Sequence, residues 1–435
     1  MSRLCAVASE CATASQGRLR AWLSCRVSPD QSPNAVSRRR SREGGFTLTE
    51  MMVSTAIMVG ITGAVFHVMN PSQGTFHAQP EVADMQQRMR VGVDSLTKEL
   101  LMAGAGTYTG ASAGALYNYF APVMPYRMGT LNSDIDAGVY YRPDAISIMY
   151  VPITPAQTTI RDEMPAQSSE LKVNPQANCP PNKHNQLCGF KEGMRLIIFD
   201  TNGNWDPMTV TNVQDEALHL QHQGQDLSVK YAPGSYITQA ATHTYYLKSD
   251  NLNKTYQLMH YDGYQTDLPV VDNVVSLAFE YFGEPAPPML LPNKALSDTK
   301  GPWTTYGPKP PALGVNVPTD SWGAGENCLF KVENNVHVPR LSALAVGVGQ
   351  VKLDPATLQD GPFCPDATKQ QRYDADLLRI RRVRVKLRVQ AAVAALRGPA
   401  GVLFKYGGSA QGGERFVPDQ EISFDVTPRN MNLGR

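Results

Sequence analysis

Between residues 51 and 69 the chain carries Met, Val, Ala, Ile, Gly, Thr and Phe with one Ser and one His, and no Asp, Glu, Lys or Arg. That is close to the roughly 20 residues a bilayer-spanning helix needs, and it makes the segment a membrane helix candidate. Just upstream stands Arg38-Arg39-Arg40-Ser41-Arg42. Such a cluster stays on the cytoplasmic side and sends the chain beyond Met69 across the membrane, so the large C-terminal part is expected to be exported. One carboxylate, Glu50, sits at the start of the run. It costs about 2 kcal/mol or more in that position unless it is paired or protonated.

A secretory signal peptide has the same basic start, but its small-residue cleavage site follows the apolar run. Here Gly44-Gly45 precedes it. The residues Gly45, Phe46, Thr47, Leu48 and Glu50 resemble the class III signal of type IV prepilins and type II secretion pseudopilins. The resemblance implies that a prepilin peptidase cuts between Gly45 and Phe46, methylates the new amino group of Phe46 and leaves the apolar helix in place. In a bundle of such helices the partner expected for Glu50 is the amino terminus of a neighbour's Phe46, a pairing that fixes the axial register. The plainer alternative is a carboxylate at headgroup level with no assembly role. The leader, residues 1–45, is long for this family, and residues 1–35 show no helical or strand period. A start at Val36 would leave a short basic leader of the usual kind; a cytoplasmic extension is the other reading.

Of 40 Lys and Arg and 39 Asp and Glu, eight and three lie in residues 1–45, so the remaining 390 residues carry a net charge of −4. No overall charge signature for nucleic acid remains. Cys5, Cys11 and Cys25 fall in the leader, leaving Cys179, Cys188, Cys328 and Cys364. An even number in an oxidising compartment suits two disulfides, and pairing by proximity, Cys179 with Cys188 and Cys328 with Cys364, is the simplest of three connectivities. Neither pair has the short spacing of a structural zinc site.

Pro71 and Pro80 are expected to kink or break the helix. Helical spacing then resumes with Val82, Met85, Met89, Val93, Leu96 and Leu100, ending near Gly104-Ala105-Gly106. Residues 71–106 therefore read as an amphipathic helix packing on the exported part. Asp84-Met85-Gln86-Gln87-Arg88-Met89-Arg90 and Leu100-Leu101-Met102-Ala103-Gly104-Ala105-Gly106 also resemble the PilW-like branch of minor pilins. Beyond Gly106 the pattern changes to short strands between turn residues. The candidates are 145–151, 194–199, 208–213, 217–222, 236–247, 255–261, 274–282, 377–392 and 421–426. The expected fold is α+β: a long N-terminal helix, its membrane and filament half at 46–70, packed through its second half on an antiparallel β-rich head at 107–435. Residues 284–318 hold nine prolines and are expected to form a surface loop that could contact a partner.

Asp200, Asn202, Asn204 and Asp206 alternate as calcium ligands do, but the glycine is misplaced for an EF-hand, and Asn202-Gly203 suits a hairpin turn. No cofactor is expected. Arg382, Arg384, Lys386 and Arg388 form a basic row on a strand. Such a row could grip phosphates, but with no interleaved aromatic for base stacking a solvated face opposed by acids is the preferred reading and nucleic acid is not expected. His219 and His222, three apart on a strand, face opposite ways and make a poor metal pair. No G-x-S-x-G, H-E-x-x-H or Walker sequence occurs, so no enzyme is expected.

The resemblance points to a minor pilin, an assembly component at the initiation complex or tip of a type IV pilus. Its partners would be other pilins, the prepilin peptidase and the inner-membrane assembly machinery. It would cross the inner membrane once with a periplasmic head before reaching the cell surface. A J-type pseudopilin of type II secretion is the alternative within the family. Outside it stands a membrane-anchored hydrolase or adhesin, the latter favoured by an exposed aromatic patch around Trp303, Tyr306 and Trp322.

Overall fold

The computed structural model describes residues 45–106, 116–128, 140–152, 156–168, 170–176, 179, 184–222, 227–252, 254–263, 266–291, 303–316, 321–347, 349–369, 371–403, 405–406 and 416–431. The basic cluster 38–42, the rest of the leader and the middle of the proline-rich segment lie outside the described residues. By contacts the chain divides into two units, Met1–Val68 and Met69–Arg435.

One helix, α1 (Leu48–Met102), runs from the first unit into the second. The expected break at Pro71 and Pro80 does not occur: both prolines lie inside a continuous helix. Each proline deletes one ladder donor and crowds one carbonyl, while the hydrogen bonds of the turns on either side remain available. The helix ends where the sequence placed it. Gly104 has φ +73°, and its N–H donates to Met149 O at 3.0 Å, so the left-handed residue that stops the helix also ties it to the sheet.

Within the second unit the strands form three main sheets. The chain enters with β1 (Val123–Met124) and β2 (Ala145–Tyr150). It then leaves to build a six-stranded sheet from β3 (Gln157–Thr159), β4 (Glu170–Lys172), β5 (Arg195–Phe199), β6 (Trp205–Gln214), β7 (His219–His222) and β8 (Tyr236–Gln239), in the order β3-β8-β5-β6-β7-β4. It returns as β9 (Ala241–Asp250), β10 (Thr255–Tyr261), β11 (Asp267–Asp272) and β12 (Val274–Gly283). Because β2 pairs with β9, the six-stranded sheet is an insertion between two neighbours of the five-stranded sheet β1-β2-β9-β10-β11. The predicted strand 236–247 is thereby two strands, divided at Ala240, where the chain passes from one sheet to the other. The insertion has its own core around Leu171, Leu196, Ile198, Val210, Leu220 and Tyr231. Phe199 and Trp205 on its other side join the main core through Tyr119 and Phe120, with ring centroids 5.0 and 5.4 Å apart.

Two short hairpins follow, β13 (Leu290–Leu291) with β14 (Trp303–Thr304) and β15 (Phe330–Glu333) with β16 (Val336–Pro339). Then come β17 (Val351–Lys352), β18 (Phe363–Cys364), β19 (Tyr373–Asp374), β20 (Ile380–Val389) and β21 (Gln420–Val426). The third main sheet has the order β17-β12-β20-β21. On β20, Val383, Val385, Leu387 and Val389 are fully buried, the one-sided pattern the alternation requires.

The proline-rich segment is less of a surface loop than its composition suggests. Tyr306 is fully buried, and the carbonyls of Glu284, Pro285 and Ala286 accept from Arg379 Nη1 at 3.2–3.4 Å. A run poor in ladder partners leaves carbonyls to be satisfied, and a buried guanidinium, which has donors and no acceptor, meets that need.

Candidate assembly interface

The N-terminal half of α1 is apolar and uncovered by the rest of the described chain. Leu48–His67 is long and apolar enough to cross a membrane, and none of it is buried by the chain itself. Phe46, Met58, Val59 and Phe66 are exposed, as are the apolar residues on every other side of this stretch. Its few hydroxyls bond back to the helix: Thr55 Oγ1 donates to Met51 O at 2.8 Å and Thr62 Oγ1 to Met58 O at 2.7 Å. Such back-bonding satisfies a hydroxyl where no water is at hand.

Glu50 has a local partner that the sequence reading did not foresee. Thr47 N donates to Glu50 Oε2 at 2.8 Å, Thr47 Oγ1 donates to the same oxygen at 2.9 Å, and Glu50 N donates to Thr47 Oγ1 at 3.3 Å. Thr47 is the N-cap and Glu50 the third helical residue, so Thr47-Leu48-Thr49-Glu50 is a capping box. The signal was legible in the order of these four residues.

The second half of α1 is seated on the sheets. Met85, Leu96 and Leu100 of the predicted stripe are fully buried, and Val82 and Met89 pack against the same core. Gly92, which lies on that stripe, is a point of close approach. A Cβ there would stand 2.8 Å from Leu387 Cδ2, 3.5 Å from Val271 Cγ2 and 3.8 Å from Leu258 Cδ2, so the helix rests over β20, β11 and β10 together. A glycine interrupting an apolar stripe is itself a hint of such a contact.

Polar groups along the same face fix the seat. Arg88 Nη1 donates to Gln390 O at 3.2 Å and Asp272 O at 3.4 Å, while Nη2 pairs with Glu81 Oε1 at 3.1 Å. Glu81 in turn accepts from Ala392 N. Nearer the end of α1, Ser95 Oγ meets Tyr245 Oη at 3.0 Å, and Glu99 Oε2 accepts from Tyr150 Oη at 2.8 Å.

The disulfides are Cys179–Cys188, with Cα atoms 5.7 Å apart, and Cys328–Cys364, with Cα atoms 5.2 Å apart. The second is fully buried and joins Cys328, two residues ahead of β15, to β18.

The buried acids Asp200, Asp206, Asp374 and Asp376 of the β-rich unit have partners within the chain. Asp200 Oδ1 accepts from the N–H groups of Asn202 and Asn204 at 2.8 and 3.1 Å, and Oδ2 accepts from Asn204 Nδ2 at 2.8 Å. Asp206 Oδ2 accepts from Ser228 and Tyr231. Asp200 thus serves the turn between β5 and β6, in which Gly203 takes φ +92°, whereas Asp206, on β6, anchors the segment ahead of β8, and burial raises its carboxyl pKa to about 6. Asp360, Asp374 and Asp376 bring three carboxylates together. Asp374 accepts from Asp376 N at 2.8 Å and Gly361 N at 2.6 Å, as the cap of the short helical turn Ala375–Arg379, while Asp376 pairs with Arg379. Burial lifts Asp374 to about 7 and Asp376 to about 6.

Each side chain of the basic row meets an acid on a neighbouring strand or just ahead of β21. Arg382 and Arg384 meet Asp425 at 2.8 and 2.7 Å, Lys386 meets Glu280 at 2.9 Å, and Arg388 meets Asp419 at 3.3 Å. His219 is half-buried and His222 buried on β7, on the opposite faces expected. The proposed aromatic patch is not an exposed surface, because Tyr306 is fully buried and Trp322 donates to Pro365 O with Arg340 stacked 4.4 Å over its ring; the Trp303 side chain lies outside the described residues.

Compared with protein-family models, with curated proteins and with solved structures, the chain has no match.

Proposed function

We propose that this chain is a minor subunit of a type IV pilus or a related exported filament, acting through assembly. The observation that carries the reading is a single helix with two kinds of surface. Leu48–His67 is apolar and wholly unburied, whereas Met85, Leu96 and Leu100 are sunk in the core of a disulfide-bearing β-rich unit. A helix apolar on all sides requires lipid or like helices around it. Lipid before assembly and neighbouring subunits after it would supply both. The Gly45-Phe46 junction ahead of the helix start supports the same reading, with prepilin peptidase as the processing partner and inner-membrane machinery drawing the helix out of the bilayer.

The test is the amino terminus of the chain recovered from membrane or sheared filament fractions. Mass spectrometry should find N-methylated Phe46 as the first residue. An intact segment ahead of Phe46 in assembled filaments would overturn the assignment.

A further inference from the structure

Beneath the last turns of α1 lies a polar chain that the assembly role does not use. Tyr150 on β2, His243 on β9 and His260 on β10 face the same side of the five-stranded sheet, the side that Glu99 of α1 covers. Tyr150 Oη donates to Glu99 Oε2 at 2.8 Å and lies 3.2 Å from His243 Nε2. That nitrogen is 3.5 Å from Glu99 Oε2. On the other side of the ring, His243 Nδ1 lies 2.7 Å from His260 Nε2, with the two rings stacked at 4.9 Å. Tyr245, bonded to Ser95 of α1, tilts over His260 at 4.9 Å.

The donor count fixes the order of protons. Tyr150 has one O–H and spends it on Glu99, so its oxygen accepts from His243 Nε2–H. His243 then presents a bare Nδ1, and His260 must donate its Nε2–H to it. One further proton is tolerable: it enters at His260 Nδ1 and the Nε2–H passes to His243 Nδ1, which leaves the charge on the ring whose Nε2 is 3.5 Å from Glu99 Oε2. A second puts N–H groups on both sides of the 2.7 Å contact, with no lone pair between them.

We propose that Glu99, Tyr150, His243 and His260 form an acid-sensitive latch that holds the C-terminal turns of α1 on the sheet and opens when both histidines are protonated. Every charged group around the pair has a direction. Glu99 on α1, with Asp262 beyond β10, favours protonation of both rings, and Asp267 on β11 favours that of His260; Lys98 on α1 and the like charge of His260 oppose that of His243. Tyr150 and Tyr245 stay neutral, burial holding both phenols above their usual range. Burial is the largest influence on both histidines and holds them below the ordinary imidazole range. The sign follows: the unfolded or opened chain takes the proton first, so the latch is closed above about pH 6.5 and its contribution is lost as pH falls below that value.

The test is hydrogen exchange of the full chain in detergent micelles, corrected for intrinsic rates, compared at about pH 7.5 and about pH 5. Amides at 96–104 should lose roughly tenfold or more of their protection at the lower pH, while those of β5 and β6 change less than about threefold. In His260→Gln, whose amide donates to His243 but does not titrate, the loss should shrink to roughly threefold or less, and in Glu99→Gln it should begin at higher pH. A flat wild-type profile overturns the latch, as does an unchanged slope in a folded His260→Gln chain. If His260→Gln does not fold, an opening pH in Glu99→Gln equal to that of the wild type overturns it.

Discussion

Glu50 separates two kinds of argument that meet in one side chain. Its capping of Thr47 is complete within the monomer, so the carboxylate does not require a neighbour to be satisfied at the helix start. Glutamine fills the third position of a capping box as glutamate does, which gives a clean division. Glu50→Gln should keep the helix start and lose only the charge, whereas Glu50→Val should lose both. If the charge pairs with a neighbour's Phe46, both variants should be processed normally and both recovered in reduced amount from sheared filaments. Recovery of Glu50→Gln at the wild-type level would reduce Glu50 to a cap. The order Thr-x-x-Glu was readable in the sequence, as was Gly92 within the stripe. Arg88, Arg379 and the histidine pair were not, because their partners lie far along the chain or are backbone carbonyls. Periodicity reports which face is buried, and is silent on which distant strand a polar side chain will meet.

At the scale of elements, most of the longer strands were legible, those that alternate and also continuous apolar runs such as β5. The strand 255–261 coincides with β10, and 274–282 falls one residue short of β12. β11 escaped, since Asp267-Leu268-Pro269-Val270-Val271-Asp272 carries a proline; it lies at the edge of its sheet, where a missing N–H is tolerated. The insertion of β3–β8 between β2 and β9 was illegible for a different reason: sheet partnership is long-range, and each strand reads alike whichever sheet it joins. The disulfides act at this scale. Cys328–Cys364 closes 36 residues against 9 for Cys179–Cys188, so chain entropy alone makes the first worth about 4 kcal/mol and the second about 3 kcal/mol. Replacing Cys328 and Cys364 together by serine should therefore lower the thermal midpoint more than the same change at Cys179 and Cys188. Burial widens the gap, because the first pair would leave hydroxyls in the core. Thermal unfolding of the two double variants measures it, and equal midpoints would show that the longer loop is already constrained in the unfolded chain.

For the whole molecule, the second half of α1 is held by the β-rich unit and the first half is not, and the chain should be divisible between them. A chain beginning at Glu81 keeps Met85, Leu96 and Leu100 in the core and retains the Arg88 and Glu81 bonds to the sheets. It loses the stretch Leu48–His67, which contributes nothing to the core. A chain beginning at Gly106 loses the seat as well. Three fully buried side chains at about 1.5–3 kcal/mol each approach or exceed the net stability of many domains, about 5–15 kcal/mol. It also uncovers Leu258, Val271 and Leu387, which lie beneath Gly92. The longer chain should be monomeric, unfold cooperatively and fail to enter filaments, while the shorter one should aggregate or melt without a sharp transition. Thermal unfolding with light scattering distinguishes them. Equal, cooperative melting of both chains would mean that the second half of α1 is carried by the β-rich unit without supporting it. The seat, and the latch beneath it, would then be an attachment and not part of the fold.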